Sequence, residues 1–277
     1  MTGSSKLDIT RATTVCMSVA ARPGTFGSRF HNHLYAALGL DYVYKAFGVR
    51  DIAGVVAGVR ALGIRGCAVS MPFKETVIPL LDELDASAAA IGSVNTIVNT
   101  DGHLKAYNTD YTAIQVLIGR HALDPQARVV LRGSGGMGKA VASALRDAGF
   151  KTGVLVARNE TAGRDLAGRC GWTWQPDVPD IHAGDLLVNV TPIGMAGGPD
   201  EHVAAFTPAQ IALASTVFDV VALPSETPLI VEARAQGRAV VTGLDVVALQ
   251  ALEQFVLYTG VRPTDEQVAA AVAFARA

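Results

Sequence analysis

Gly133-Ser134-Gly135-Gly136-Met137-Gly138 sets glycines at the first, third and sixth positions of a short loop. An apolar run, Val129 to Arg132, precedes it and a helical pattern follows, which is the context of a dinucleotide fingerprint. The first glycine makes the tight turn and the second lets a pyrophosphate approach the backbone. Free N–H groups at the helix start take the charge. Twenty residues after Gly138 the next apolar run ends in Ala157-Arg158-Asn159. An acid there would bind a ribose 2′-hydroxyl, whereas a guanidinium suits a 2′-phosphate, so the pattern favours NADP over NAD. Taken alone, Arg158 also reads as a solvated strand end.

A second constellation lies upstream. Met71-Pro72-Phe73-Lys74-Glu75 follows an apolar run that ends at Ser70, and the proline breaks the strand so that Lys74 leaves the sheet edge where open α/β sheets bind ligands. Asn95 and Asn108-Thr109-Asp110 flank a later pair of short runs. A lysine beside a carboxylate is a proton-transfer pair. Spacing alone does not bring them together, and Lys74 alone also reads as a surface lysine.

The elements that must carry these residues alternate. Val15 to Val19 reads as a strand, Ser28 to Leu38 as a helix stopped by Gly39, and Tyr42 to Phe47 as a strand. Asp51 caps a helix over Ile52 to Leu62, Gly63 ends it, and Ile64 to Ser70 is the next strand. Such β-α-β-α-β order implies parallel strands with helices packed on the sheet. Between Val94 and Asn108 the pattern changes to two alternating runs around Asp101-Gly102, a hairpin signal. A helix from Asp110 leads to a polar, proline-bearing stretch at 121–125. Strands then restart at Val129 to Arg132, Thr152 to Ala157, Leu186 to Val190, Val217 to Val221 and Ala239 to Thr242. Helices are expected over Lys139 to Ala148, Thr161 to Cys170, from Thr227-Pro228 to Gly237, Val246 to Tyr258 and Asp265 to Arg276. Thr264 and Gln267 have capping-box spacing for the last.

Composition narrows the classes. The chain has 277 residues, 50% hydrophobic and 17% charged, which excludes a disordered chain and allows two modest cores. Lys+Arg 23 against Asp+Glu 25 gives −2, too balanced for a nucleic-acid binder or a polybasic membrane anchor. Cys16, Cys67 and Cys170 are widely spaced and read as buried thiols of a reducing compartment. Ala12 to Ala21, behind Lys6 and Arg11, has the outline of a leader but reads as the first strand. No apolar run reaches the roughly 18 residues of a membrane span. A cytoplasmic protein is expected.

Seven motifs in order resemble the shikimate dehydrogenase family. They are Pro72-Phe73-Lys74-Glu75, Ile91-Gly92-Ser93-Val94-Asn95-Thr96, Asn108-Thr109-Asp110, the glycine loop, Asn189-Val190-Thr191-Pro192-Ile193-Gly194-Met195, Thr227-Pro228-Leu229 and Gln250-Ala251. Members of that family reduce 3-dehydroshikimate to shikimate with NADPH. The resemblance implies that Lys74 and Asp110 are the catalytic pair, Lys74 passing the proton at the substrate oxygen and Asp110 orienting it. By the same resemblance Asn95 and Gln250 bind substrate hydroxyls, Ser70 stands where the family has a substrate-binding threonine, and Thr25 keeps one hydroxyl of the carboxylate grip. Asn189, Thr191 and Met195 would line the nicotinamide side, with Gly243 completing the cofactor residues Gly133, Ser134, Gly135, Gly136, Met137, Gly138, Arg158 and Asn159.

Departures from the pattern cluster at the substrate. The family's Ser-x-Ser-Pro before His31-Asn32 is Thr25, Gly27 and Ser28 here, so one carboxylate hydroxyl is absent. Arg22 or Ser28 is a possible substitute, and each also reads as solvated loop. The aromatic of Asp-x-x-Tyr-x-Pro is Ala222, while the glycine after Asn-Thr-Asp is Tyr111, which either exchanges one phenol for another or reshapes the cavity. These changes resemble the divergent, shikimate dehydrogenase-like branch. His31 reads as a packed or capping histidine, and no metal site is expected.

The expected fold is two-domain α/β. Residues 1–112 with 246–277 form a substrate domain, residues 113–245 form a Rossmann-type NADP domain, and the active site lies in a cleft between them. The expected activity is NADP-dependent interconversion of 3-dehydroshikimate and shikimate. The alternatives are a quinate or aminoshikimate dehydrogenase, or a cofactor-binding sensing module with little catalysis. The expected partners are a small hydroxy acid and NADP, with no nucleic acid and no membrane, on a monomer or homodimer.

Overall fold

The computed structural model describes residues 9–277. Lys6, part of the leader-like outline, lies outside the described residues. Backbone contacts divide the chain into two units: one runs to Thr109 and resumes over Ala248–Ala277, the other is Asp110–Val247.

The first unit carries β1 (Thr14–Ala20), α1 (Phe26–Ala37), β2 (Tyr42–Gly48), α2 (Ile52–Ala61), β3 (Gly66–Val69), β4 (Glu83–Leu84), α3 (Ala86–Ala89), β5 (Thr96–Thr100) and β6 (His103–Tyr107). A six-stranded sheet in the order β2-β1-β3-β5-β6-β4 results, with β1 parallel to β2 and β3, and β5 antiparallel to β3 and β6. The hairpin forms because Asp101 and Gly102 both take positive φ, 53° and 88°, as its two-residue turn demands. Asp51 caps α2 as expected, its Oδ1 accepting from the Gly54 N–H at 3.0 Å. Helix α1 starts at Phe26, two residues before the expected Ser28, with Thr25 at the N-cap position in αR geometry and its side chain making no cap bond. Strand β3 is shorter than its apolar run because the chain turns after Val69, where the Phe73 N–H bonds the Ser70 carbonyl. Valines, leucines and isoleucines of β1, α2, β3, β5 and β6 fill the core, among them Val19, Val59, Val69, Ile97 and Leu104.

His31 belongs to a buried aromatic stack. Its ring lies 4.4 Å from that of Tyr44 at an interplanar angle of 5°, beside Phe255 and Tyr258. Full burial pushes its pKa down to about 3, so the ring is neutral and packs as a core side chain.

The second unit opens with helix α4 (Thr109–Arg120). It contains β7 (Val129–Arg132), α5 (Gly136–Asp147), β8 (Gly153–Val156), α6 (Glu160–Cys170), β9 (Thr173–Gln175), β10 (Leu186–Asn189), α7 (Pro208–Ile211), β11 (Thr216–Asp219), α8 (Pro228–Ala235) and β12 (Ala239–Val241). All six strands are parallel in the order β12-β11-β10-β7-β8-β9. Counted within the unit, the order is 3-2-1-4-5-6, so the winding reverses between β7 and β10, where open α/β sheets leave a crevice. Fully buried apolar strands such as Val129 to Leu131 fit a sheet covered on both faces. Helix α5 begins at Gly136, three residues ahead of the expected Lys139. Within it Gly138 packs closely against the Gly133 carbonyl and Val190, whereas Gly136 at its start has open space around it.

Two helices close the chain, α9 (Gly243–Thr259) and α10 (Asp265–Arg276). The capping box at Thr264 and Gln267 forms as expected. Helix α9 starts at Gly243, ahead of the expected Val246, and a Cβ there would stand 2.3 Å from the Val221 carbonyl, so close backbone approach demands this glycine. Among the described residues no helix is long and apolar enough to cross a membrane, no cluster of metal-ligating side chains occurs, and all three cysteines are free and buried.

Candidate functional site

The reversal between β7 and β10 forms a pocket of about 650 Å³, within the range of ligand sites. Gly133 leaves β7 at φ 121°, and a Cβ there would meet the Val190 side chain at 2.8 Å. Gly138 would place a Cβ 2.8 Å from the Gly133 carbonyl oxygen. These two glycines are therefore required by close packing of the loop, helix and strand. Gly135 is the N-cap of α5 and makes no side-chain cap bond, so the first N–H groups of α5 keep their capacity for an external anion. Nothing beyond backbone lies within 4 Å of a Cβ built on Gly135 or Gly136. A pyrophosphate fits this cradle.

Of the sequence-predicted cofactor residues, Gly133, Ser134, Gly135, Arg158, Asn159 and Thr191 line this pocket, while Gly136, Met137, Gly138, Asn189, Met195 and Gly243 do not. Asn159 already caps α6, its Oδ1 accepting from the Ala162 N–H at 3.0 Å. Arg132 also lines the pocket, half-buried, and the sequence reading missed it. Its signal was present: an arginine closing an otherwise apolar strand immediately before the glycine loop breaks the hydrophobic pattern.

Asn189 anchors the wall of the pocket. Its Oδ1 accepts from the Thr191 N–H at 3.1 Å and the Thr191 hydroxyl at 2.6 Å; its Nδ2 donates to the Ile193 carbonyl at 3.2 Å and to Asp219 at 3.0 Å. Asp219 in turn accepts from the Val221 N–H and from the Thr227 hydroxyl, which itself accepts from the Ile230 N–H as cap of α8. Burial raises the Asp219 carboxyl to about 6 despite these donors. Three sequence motifs thus meet at one carboxylate.

In the first unit Asn95 is the centre. It is 2% exposed, and its Oδ1 accepts from the Thr96 hydroxyl at 2.8 Å, the Thr109 N–H at 2.8 Å and the Thr109 hydroxyl at 3.2 Å. Its Nδ2 is buried with no partner. Leaving such a donor unmade costs about 1–3 kcal/mol, and a substrate oxygen would relieve it. Backbone bonds tie the neighbouring candidates to this point. The Val69 N–H bonds the Asn95 carbonyl, placing Ser70 alongside, and the Val94 N–H bonds the Lys74 carbonyl at 2.8 Å. Asp110, 2% exposed, directly follows Thr109. Gln254 on α9 donates to Thr96 Oγ1 at 3.0 Å, and Gln250 sits one helical turn earlier on the same face. Gln254 escaped the sequence reading because a single glutamine on a helix carries no signal.

Among the described residues the side chains of Thr25, Ser70 and Gln250 have no protein hydrogen-bond partner, so their polar groups are available to a ligand. Gly27 is not forced by packing. A Cβ there would meet Tyr44 at 3.6 Å, an ordinary contact, and its φ is not positive. The Tyr111 hydroxyl donates to Asp147 at 2.7 Å and accepts from Gln115 at 2.8 Å, and burial together with Asp147 pushes its pKa up to about 12. Its phenol is thus hydrogen-bonded within its own unit.

The profile of the shikimate dehydrogenase substrate binding domain matches residues 25–97. A shikimate dehydrogenase-like protein of Haemophilus influenzae is 53% identical over 268 residues, covering 97% of this chain and 98% of that protein. A solved shikimate 5-dehydrogenase-like protein superposes with a TM-score of 0.94 at 53% identity, over 97% of this chain and 100% of the other. A shikimate dehydrogenase (NADP(+)) of Moorella thermoacetica is 38% identical over 244 residues, covering 83% of this chain and 82% of its own.

Proposed function

The chain belongs to the shikimate dehydrogenase family, and from that premise we propose that it is an oxidoreductase interconverting 3-dehydroshikimate and shikimate with NADP. The unit to Thr109 with Ala248–Ala277 binds the hydroxy acid, and Asp110–Val247 binds the dinucleotide. The observation that carries this reading is the buried, unpartnered Nδ2 of Asn95 beside the Lys74 turn, a donor waiting for a substrate oxygen.

Each side chain then has a task. Asn95 donates to a ring hydroxyl oxygen, and the three bonds on its Oδ1 prevent the amide from turning over. Gln250 and Ser70 hold further hydroxyls, and Thr25 donates to the carboxylate. Lys74 gives its proton to the carbonyl oxygen during reduction and takes it back from the alcohol during oxidation, while Asp110 orients the ammonium. When bound, NADP supplies the hydride chemistry. Arg158, the first N–H groups of α5 and the loop of Gly133 to Gly135 hold its phosphates. The protein is expected to work in the cytoplasm as a monomer or homodimer.

Purified protein given NADP and shikimate, quinate or an aminoshikimate should reduce the nicotinamide fastest with shikimate, followed by its absorbance. Lys74→Ala should lower kcat roughly 10²–10⁴-fold while NADP binding persists. No turnover with any of the three would overturn the reading, and so would an unchanged kcat in the lysine variant.

A further inference from the structure

The dinucleotide pocket holds a second guanidinium besides that of Arg158. Arg132 ends β7 directly before Gly133 and lines the same pocket as Arg158. One of its nitrogens donates to the Ala205 carbonyl, which fixes the side chain on the pocket wall. Of the other arginines of this unit, Arg128 pairs with Asp185, Arg146 with Asp147, Arg164 with Glu160, Arg169 with Asp165 and Arg234 with Glu226, whereas Arg120 and Arg238, which do not line the pocket, also have no carboxylate partner among the described residues. Among the described residues neither Arg132 nor Arg158 has a carboxylate within ion-pair distance. Asp177 and Asp200 line the pocket as well, yet neither closes on Arg132 or Arg158.

Two guanidiniums without an ion pair share this pocket, Arg132 half-buried and Arg158 exposed. Burial first and then the charge of Arg158 push the Arg132 pKa below its ordinary value, while the carboxylates of Asp200 and Asp177 act in the opposite direction. A dianion bound in the pocket would meet both guanidiniums. The pyrophosphate is already provided for by the glycine loop and the start of α5. The group left for two guanidiniums is the additional phosphate that distinguishes NADP from NAD.

We propose that Arg132 is a specificity-determining residue that, together with Arg158, binds the 2′-phosphate of NADP. The proposal rests on the dinucleotide reading above and adds to it a residue outside the fingerprint and outside the β8 end where such specificity is usually read. Each guanidinium makes charge-assisted, fork-shaped bonds to phosphate, and the pair sets the preference over NAD.

Calorimetric titration with adenosine 2′,5′-bisphosphate and with adenosine 5′-monophosphate isolates the 2′-phosphate from turnover. The wild-type protein should prefer the bisphosphate. Arg132→Met should weaken the bisphosphate roughly ten- to a hundredfold and leave the monophosphate within about twofold. Arg132→Lys, which keeps a donor for Ala205 and a point charge, should fall between, and its melting temperature guards against a folding defect. An Arg132→Met protein that keeps the full preference would overturn the proposal, as would equal weakening of both ligands. A wild-type protein with no preference would instead defeat the NADP reading itself, and the proposal with it.

Discussion

Asn95 and Asn189 are both buried asparagines beside the end of a strand, one in each unit, and both have a carboxamide oxygen saturated by threonine hydroxyl and backbone N–H groups. Their nitrogens differ. Asn189 spends both N–H donors inside the protein, on Ile193 and Asp219, whereas Asn95 has none engaged. Similar bonding at the oxygen is thus joined to opposite outcomes at the nitrogen: one amide is spent inside the protein and the other is not. The dinucleotide unit is braced from within around Asp219. The other unit leaves one buried donor, Asn95 Nδ2, with no protein partner.

That contrast breaks in a defined order under substitution. Asn189→Asp would place a second carboxylate 3.0 Å from Asp219 and against the Ile193 carbonyl. A loss of about 3–5 kcal/mol in stability is expected at neutral pH, read by denaturant unfolding. A smaller effect follows from Asp219 itself. Its folded carboxyl, raised to about 6, lies above an unfolded value near 3.9, so stability is fully present below about pH 4 and is lost as pH rises through about 6. The amount is about 3 kcal/mol, and Asp219→Asn should flatten that part of the stability profile. Thr227→Val removes both the bond to Asp219 and the cap of α8, and should cost about 1–2 kcal/mol. Smallest is Gly27→Ser in the open unit. With ordinary contact to Tyr44 available, it should leave the melting temperature unchanged and lower the KM for shikimate by roughly two- to tenfold, the yield of one hydrogen bond.

Legibility in the sequence divided along physical lines. The glycine loop, the Asp101-Gly102 hairpin and the Thr264 capping box were readable because each is a local rule acting over a few residues. Strands β4 and β9 were not, since two or three residues carry no period, and their pairing partners supply the order. The true start of α5 was hidden because glycine argues against helix locally, and the close approach of Gly138 to Gly133 and Val190 is not visible in the sequence. At the site, residue types pointed to Lys74, Asn95 and Arg158. The partners that give them meaning were invisible: Gln254 lies 158 residues from Thr96, and Tyr111 meets Asp147 across 36 residues. Arg132 was visible only as a break in an apolar run.

The central claim is that the free amide of Asn95 binds the substrate, and Asn95→Asp tests it most directly. The variant keeps the oxygen that Thr96 and Thr109 bond and removes the donor. Steady-state turnover of shikimate with NADP should show kcat/KM reduced roughly 30- to 100-fold with NADP affinity close to wild type, while the buried carboxylate lowers the melting temperature as in Asn189→Asp. A kcat/KM within twofold of wild type would contradict the account, because Asn95 would then be a strut like Asn189 whose nitrogen serves no substrate.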